Sequence, residues 1–383
     1  MAAIFIARVL GPAEFGYFSF LIAVLLIMVG IQTSWVGDAL TALDRSHADI
    51  RRGLHVTQLA LTAGGAVVGI GLALLTTRVS PATAFAYGLL VAAWQLEEYG
   101  RRIFMARLEF LRQALNDAVY LVSVLAGLSL INIALHRGGL GLDMLAMAVS
   151  SLFAFATSQL VVAPHERLSL RDLRGPGLSR VAAFGSWRAA QVGAGNITQA
   201  AIRWLVIWLA SAAVMGNLQA ALLVFSPMFT FLQAIGNLMF PAFAIQRRVS
   251  SENLRQWARA TCALLALTAA IYAAIVLAIP SFVVHLVAGP GYAPNRVALL
   301  GWALVAVSVA FGNTYGSVAL VLKRPAMVFW YRTAGSMIGL VATVAALRLG
   351  TPSLVPLASA AGASLSALLI WHACKSASYA SPP

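Results

Sequence analysis

The sequence predicts an all-α polytopic membrane protein made of two six-helix bundles, the first helix incomplete. Three observations predict it. Hydrophobic residues fill 61% of the 383 positions and charged residues only 10%, where a soluble domain carries roughly 25% charged. The apolar residues form continuous runs of about 18 to 25, long enough to cross a bilayer core as helices. The basic residues gather in alternate gaps between those runs. A backbone in hydrocarbon must satisfy its own hydrogen bonds, which leaves helices or closed barrel strands, and unbroken runs of this length decide for helices.

The first element is the shortest. A full span needs about 20 apolar residues, and only about half as many precede Gly11-Pro12, so the chain is expected to begin inside its own first helix, with 1–9 as a remnant. Full spans are expected at 16–37, 54–77, 81–98, 115–135 and 142–163, then at 186–210, 218–241, 260–280, 297–321, 327–347 and 353–372. That makes eleven full helices and the remnant. No basic segment precedes Met1-Ala2-Ala3, so no cleavable signal peptide is expected.

Basic residues orient these spans. With the first loop outside, cytoplasmic segments hold Arg45, Arg51, Arg52, Arg101, Arg102, Arg107, Arg112, Arg167, Arg171, Arg174, Arg180 and Arg188. They continue with Arg247, Arg248, Arg255, Arg259, Lys323, Arg324, Arg332 and Lys375, making 20 of the 26 basic residues. Arg8, Arg78, Arg137, Arg296 and Arg348 fall outside, and Arg203 lies within a span. A bias this strong fixes the orientation by the positive-inside rule. It also accounts for the net charge of +14, which in a soluble protein would point to nucleic acid; no nucleic-acid partner is expected.

The most basic and least apolar stretch falls in the middle. It divides the chain into an N-terminal transmembrane lobe (1–163), a cytoplasmic linker (164–184) and a C-terminal lobe (185–383). A weak repeat agrees. Ala210 to Asn217 follows Leu10 to Tyr17 at a spacing of 200 residues, with Gly216 matching Gly16. Both segments sit between the first and second spans of their half, as in the duplicated bundles of many transporters.

A charged or amide side chain in hydrocarbon is expensive, so intramembrane polar residues are functional candidates. On span 186–210, Arg188, Gln191, Asn196, Thr198, Gln199 and Arg203 fall within an arc of roughly 160° at helical spacing. On the next span Gln219, Ser226, Thr230, Gln233 and Asn237 fall within about 60° of one another, and Pro227 removes a backbone donor and should kink the helix. These stripes either hydrogen-bond neighbouring helices or line a water-filled cavity. Arg203, with Gln199 one turn away, favours the cavity. Its guanidinium has no carboxylate at helical spacing and needs an anion from elsewhere: Asp38, Glu97, Glu98 or Asp117, or a substrate phosphate, which arginine grips with two parallel hydrogen bonds. Glu97 and Arg101, like Glu98 and Arg102, are i,i+4 neighbours, so local surface pairing is expected there. Gln113, Asp117, Tyr120 and Ser123 form a shorter stripe.

Enzymatic chemistry finds no support. The two lysines, Lys323 and Lys375, follow no glycine, so no phosphate-binding loop of an ATPase exists. Cys262 and Cys374 have neither metal-ligand spacing nor a disulfide framework, and no metal or other cofactor is expected. The outside loops are too short for the catalytic loops of a glycosyltransferase or polymerase.

Four segments carry a family resemblance: Arg8-Val9-Leu10-Gly11-Pro12-Ala13-Glu14-Phe15-Gly16, the loop ending at Gly216, Phe240-Pro241, and Leu286-Val287-Ala288-Gly289-Pro290-Gly291-Tyr292. The chain resembles the oligosaccharide flippases, the O-antigen or exopolysaccharide exporters of the multidrug/oligosaccharidyl-lipid/polysaccharide exporter superfamily. The resemblance implies two six-helix lobes around a central cationic cavity. It further implies a multi-pass protein of the bacterial inner membrane that moves a polyprenyl-diphosphate-linked oligosaccharide across the bilayer by alternating access, within membrane lipid and alongside polysaccharide biosynthesis enzymes. Arg203, Gln199, Asn196 and Arg188 are then expected to hold the head group, with Gln233 and Asn237 opposite, and Asp38, Asp117 and Pro227 are candidates for ion pairing or gating. One departure stands out: the family's Asp-Arg pair late in the seventh span becomes Ile202-Arg203. The rival readings are a cation-coupled drug exporter, which needs an acid deep in a lobe; a lipid II flippase, a family with two further helices; and a non-transporting, truncated or regulatory membrane subunit.

Overall fold

Gly11 makes the first corner of the fold. In the computed structural model, which describes residues 2–42, 47–163, 166–168 and 178–377, helix α1 (Ala2–Gln32) breaks where Gly11 takes φ 74° and ψ 174°. A side chain is strained at that φ. Pro12, with no N–H to lose, then opens the resumed helix. The expected outside loop at 8–16 is thus a one-residue corner. A π-helical turn (Thr33–Gly37) and α2 (Asp38–Ala42) prolong α1.

The rest is helical as well, and no strand occurs among the described residues, so the all-α polytopic fold class holds. The order is α3 (Ala48–Thr76), α4 (Pro81–Ala106), α5 (Phe110–Ser129), α6 (Leu140–Val161), α7 (Leu178–Leu209) and α8 (Ala212–Val249). Then follow α9 (Ser251–Ala278), a short α10 (Pro280–Ala288), α11 (Arg296–Val321), α12 (Pro325–Arg348) and α13 (Val355–Ala377). The helix starts carry their signals. Ser80 caps α4 by accepting from the Thr83 N–H at 3.2 Å, with Pro81 in the first turn; Ser211, Ser250 and Asn295 cap α8, α9 and α11 in the same way.

Several helices outrun their expected spans. The fourth, expected to end at 98, continues to Ala106, and the eighth, expected over 218–241, covers Ala212–Val249. Hydropathy marks only the stretch in hydrocarbon, whereas helical hydrogen bonding continues into polar surroundings. Eight helical segments among the described residues are long and apolar enough to cross a membrane. The expectation of eleven full spans exceeds this by α4, α7 and α12, which match the others in length but carry more polar residues.

Two compact units result. The first comprises Met1–Leu10 and Tyr17–Ala200, the second Gly11–Gly16 and Ala201–Pro383. Along the chain the two units divide within α7; most of the basic stretch 164–184 lies outside the described residues. In the first unit α4 packs against α3 and α6, and α5 against α6. In the second α11 packs against α9 and α13, and α12 against α13. The same adjacency recurs, as duplicated halves require.

The clearest mark of duplication lies within the second unit. A β-carbon on Gly16 would overlap the Ala212 carbonyl, and one on Gly216 would overlap the Pro12 carbonyl. At the 200-residue spacing, residue 12 corresponds to 212 and 16 to 216, so the contact is reciprocal. The loop after α10 joins them: Phe15 and Tyr292 meet edge to face at 6.0 Å, and the Ala293 N–H donates to Asn217 Oδ1 at 3.0 Å. Burial pushes the Tyr292 hydroxyl well above its usual ionisation range. Three of the segments that carry the family resemblance therefore meet at one place.

Two tests follow from this packing. Gly16→Ala or Gly216→Ala should each destabilise the protein by about 1–3 kcal/mol through overpacking, read as a lower melting temperature in detergent. Gly64→Ala, on an open face of α3, should be neutral or stabilising by about 0.5–1 kcal/mol. For orientation, cysteines at exposed Pro290 and Glu252 should differ: an impermeant thiol reagent labels the first in intact cells and the second only after lysis. Cys262 and Cys374 are buried and give little background.

Candidate functional site

The polar stripe of α7 divides in the structure. Asn196, half-buried, donates from Nδ2 to the Leu26 carbonyl of α1 at 3.1 Å, so this amide holds two helices of the first unit together. Gln199 is exposed. The side chains of Arg188 and Gln191 lie outside the described residues. Arg203 is half-buried and, among the described residues, has neither ion pair nor hydrogen bond. It belongs to the second unit, in a segment flanked by buried Ile202 and Val206. Trp204 and Trp208 stack one turn apart on its outer side, with ring planes 3° from parallel, and tryptophan marks the membrane–water boundary.

The α8 stripe behaves differently from expectation. Ser226 Oγ donates to the Leu223 carbonyl at 2.8 Å and Thr230 Oγ1 to the Ser226 carbonyl at 2.9 Å. These hydroxyls bond back within their own helix instead of joining neighbours, an outlet that side-chain spacing cannot reveal. Pro227 and Pro241 both lie inside α8, which runs on through each of them. Gln233 is exposed, and the Asn237 side chain lies outside the described residues. Arg203 sits roughly 9 Å along α7 from Leu209, and Gln233 roughly 32 Å along α8 from Ala212, at the helical rise. Only Ala210 and Ser211 separate the two helices. Along the chain, Gln233 is therefore much farther from the α7–α8 turn than Arg203 is.

The acidic candidates also resolve. Asp38 opens α2 and is half-buried. Asp117 Oδ1 lies 2.8 Å from Arg101 Nε. Glu98, buried, takes Arg101 at 2.8 Å and Arg102 at 2.6 Å. Local surface pairing of Glu97 and Glu98 was the expectation. The Glu98–Arg102 pair forms at the expected spacing, but not at the surface: both glutamates are only 4% exposed, because α4 continues past them and packs against α5 and α6.

Sequence reasoning missed three further polar features. Gln32, Gln58 and Gln95 form a buried amide cluster across α1, α3 and α4, with Gln32 Nε2 donating to Gln58 Oε1 at 3.0 Å and both Gln32 and Gln58 donating to the Gln95 carbonyl. Asn132 Nδ2 donates to buried Asp143 at 2.7 Å at the start of α6. Arg332, counted from sequence as cytoplasmic, lies two turns inside α12 and reaches towards the Gly312 carbonyl of α11 at 3.4 Å. A glutamine in each of three expected spans was the available signal for the first. No metal-binding group of His, Cys, Asp and Glu occurs among the described residues.

No family model matches the sequence, and no curated relative does. Solved structures do match in fold. An inward-facing multidrug resistance MATE family transporter of the MOP superfamily aligns with a TM-score of 0.75 at 14% identity, over 98% of this chain and 93% of that one. The lipid II flippase MurJ in an inward closed conformation aligns at 0.68 and 10% identity, over 98% and 84%. A MOP superfamily transporter from Pyrococcus furiosus, whose binding pocket is described as of reverse polarity, aligns at 0.63 and 14% identity, over 98% and 90%. The chain has the fold of these membrane transporters.

Proposed function

We propose that this protein is a flippase for a polyprenyl-diphosphate-linked oligosaccharide in the bacterial inner membrane, serving O-antigen or exopolysaccharide synthesis. The observation that carries the reading is Arg203, a permanent charge on a membrane helix without a carboxylate partner among the described residues. Such a group in a transporter needs an anion. A diphosphate offers two charges and the planar oxygen geometry that guanidinium binds best. The fold supports the reading, since one of its neighbours is described as a flippase of a lipid-linked substrate, lipid II.

In this mechanism Arg203 holds the diphosphate near the outer end of α7, with Gln199 one turn below donating to a phosphate or sugar oxygen. Gln233 and Asn237, much deeper along α8, serve a different part of an extended glycan. Arg188 contributes a further positive charge towards the cytoplasmic end, where the substrate is loaded. The lipid tail stays in the bilayer throughout. No covalent step is required: the protein exchanges water for fixed hydrogen-bond donors around a charged head group, and alternating access carries that head group across.

The test is surface polysaccharide in a host that depends on this chain. Arg203→Ala should lower export by on the order of tenfold or more, the loss of one or two charge-assisted hydrogen bonds, and Arg203→Lys should restore part of it. Normal export by Arg203→Ala at normal protein level overturns the diphosphate site.

A further inference from the structure

Two turns between helices, one in each unit, share a backbone and differ in charge. Arg107-Leu108-Glu109 joins α4 to α5 in the first unit, and Leu322-Lys323-Arg324 joins α11 to α12 in the second. Their backbone hydrogen bonds repeat with every partner shifted by 215 residues. Arg107, Leu108 and Glu109 donate to the carbonyls of Ile103, Met105 and Phe104; Leu322, Lys323 and Arg324 donate to those of Val318, Leu320 and Ala319. Leu108 and Lys323 both take φ 58°. The turn was duplicated with the bundle, but its side chains were not kept: Lys323 stands in the place of Leu108, and Arg324 in the place of Glu109.

That exchange leaves one end of the second unit short of anions. At the first turn Glu109 takes Arg107 and Arg112, each at 2.9 Å, and Glu166 takes Arg107 at 3.0 Å. Residues 201–383, by contrast, hold eleven basic residues and one acid, Glu252, which pairs with Arg255 at 3.3 Å. Arg248, Arg259, Lys323 and Arg324 are exposed and form no ion pair among the described residues. Contacts gather this end of the unit together. Arg247 of α8 donates to the Val321 carbonyl of α11 at 2.9 Å, and Cys374 of α13 reaches the Tyr315 carbonyl at 3.6 Å. Lys375 lies over the Trp371 ring at 5.6 Å. Trp371 in turn bonds the Tyr315 hydroxyl, on which the Arg259 charge acts, and the Arg324 charge acts on Cys374. The positive-inside rule counts basic residues in both units alike. It does not explain why acids accompany them at one turn and not at the other.

Tryptophans place this end at the membrane boundary. Trp257 of α9, Trp330 of α12 and Trp371 of α13 are 53%, 63% and 38% exposed, and exposed tryptophan settles at the level of the lipid headgroups. The unpaired basic side chains therefore stand among phosphates, and clusters of Lys and Arg beside membrane helices attract anionic lipid. An acidic protein would match the charge but not the indole rim.

We propose that this end of the second unit binds an anionic phospholipid of the adjacent leaflet, its phosphate held by Lys323 and Arg324 at the α11–α12 turn and by Arg259 and Lys375 beside them. The site does not use Arg203 and stands whether or not the lipid-diphosphate reading is right.

The experiment is thermal unfolding of the purified full chain in detergent micelles carrying phosphatidylcholine, with phosphatidylglycerol replacing it stepwise at constant total lipid and ionic strength. A lipid that binds the folded state raises the melting temperature in proportion to its saturation. Wild type should be stabilised, with a definite half-effective fraction of phosphatidylglycerol. The double variant Lys323→Leu, Arg324→Glu installs the residues that the matching turn of the first unit carries on the same backbone. It should raise that fraction about tenfold or more. Arg296→Gln, at the other end of α11, should leave it unchanged. A wild type indifferent to phosphatidylglycerol, a double variant that responds as wild type does, or an equal shift in Arg296→Gln overturns the proposal. Stabilisation of the same size by inorganic phosphate in phosphatidylcholine micelles also overturns it, since the site would then serve a soluble anion. Should the double variant fail to fold, Arg259→Gln with Lys375→Gln takes its place. The midpoint should then move by about threefold or more, and an unmoved midpoint contradicts the site.

Discussion

Hydrocarbon offers no hydrogen-bond partner, and that one constraint shapes the whole molecule. It forces each spanning segment into a helix, since only there does every backbone group find a partner within the segment. It also places the side chains. Tyr87, fully buried, donates to the Leu21 carbonyl, and Tyr272 and Trp302 donate to the carbonyls of Val224 and Leu218. Ser226 and Thr230 turn back on their own helix, and Ser308 reaches Ser364 across α11 and α13. Against this background a polar group left over carries information, and among the described residues such groups include Gln32 and Gln95 of the amide cluster, Gln219 and Thr343, and Arg203.

The second organising fact is duplication. Water-soluble bundles can hold helices apart with large side chains. A membrane bundle gains from close backbone approach through small residues, and here glycine serves that end at corresponding positions of the two halves. Gly16 and Gly216 each admit a carbonyl from the other's loop. α12 and α13 likewise meet backbone to backbone at Gly335 and Gly362. The repeated order of helix neighbours in the two units extends the same relation from one contact to the whole packing pattern.

Much of this could be read from the residues, for definite reasons. α11 matched its expected span almost to the residue because Asn295 caps one end and Lys323-Arg324 follow the other. α8 was underestimated at both ends because its polar turns look like loops to a hydropathy reading. The 200-residue spacing was visible, but a single shared glycine could not reveal that the two loops touch. The Glu98–Arg102 pair formed at the expected spacing, but its burial was not legible, because helix surfaces share the pattern with this buried cluster; Glu97 misled because Arg101, four residues on, is engaged by Glu98 and by Asp117, sixteen residues away. The stripe on α7 was legible as a stripe, but its division was not. Asn196 is spent on the Leu26 carbonyl, a partner that nothing in the spacing identifies, while Arg203 has no ion pair among the described residues.

The account depends on what the cationic helix α7 is for. Reconstitution in liposomes measures it most directly: a fluorescent polyprenyl-diphosphate-linked oligosaccharide in one leaflet, with a membrane-impermeant quencher reporting its arrival in the other. The account predicts protein-dependent movement of this lipid, competed by polyprenyl diphosphate and reduced by Arg203→Ala. Liposomes in which the lipid stays in place while the same protein moves a cationic drug would contradict it.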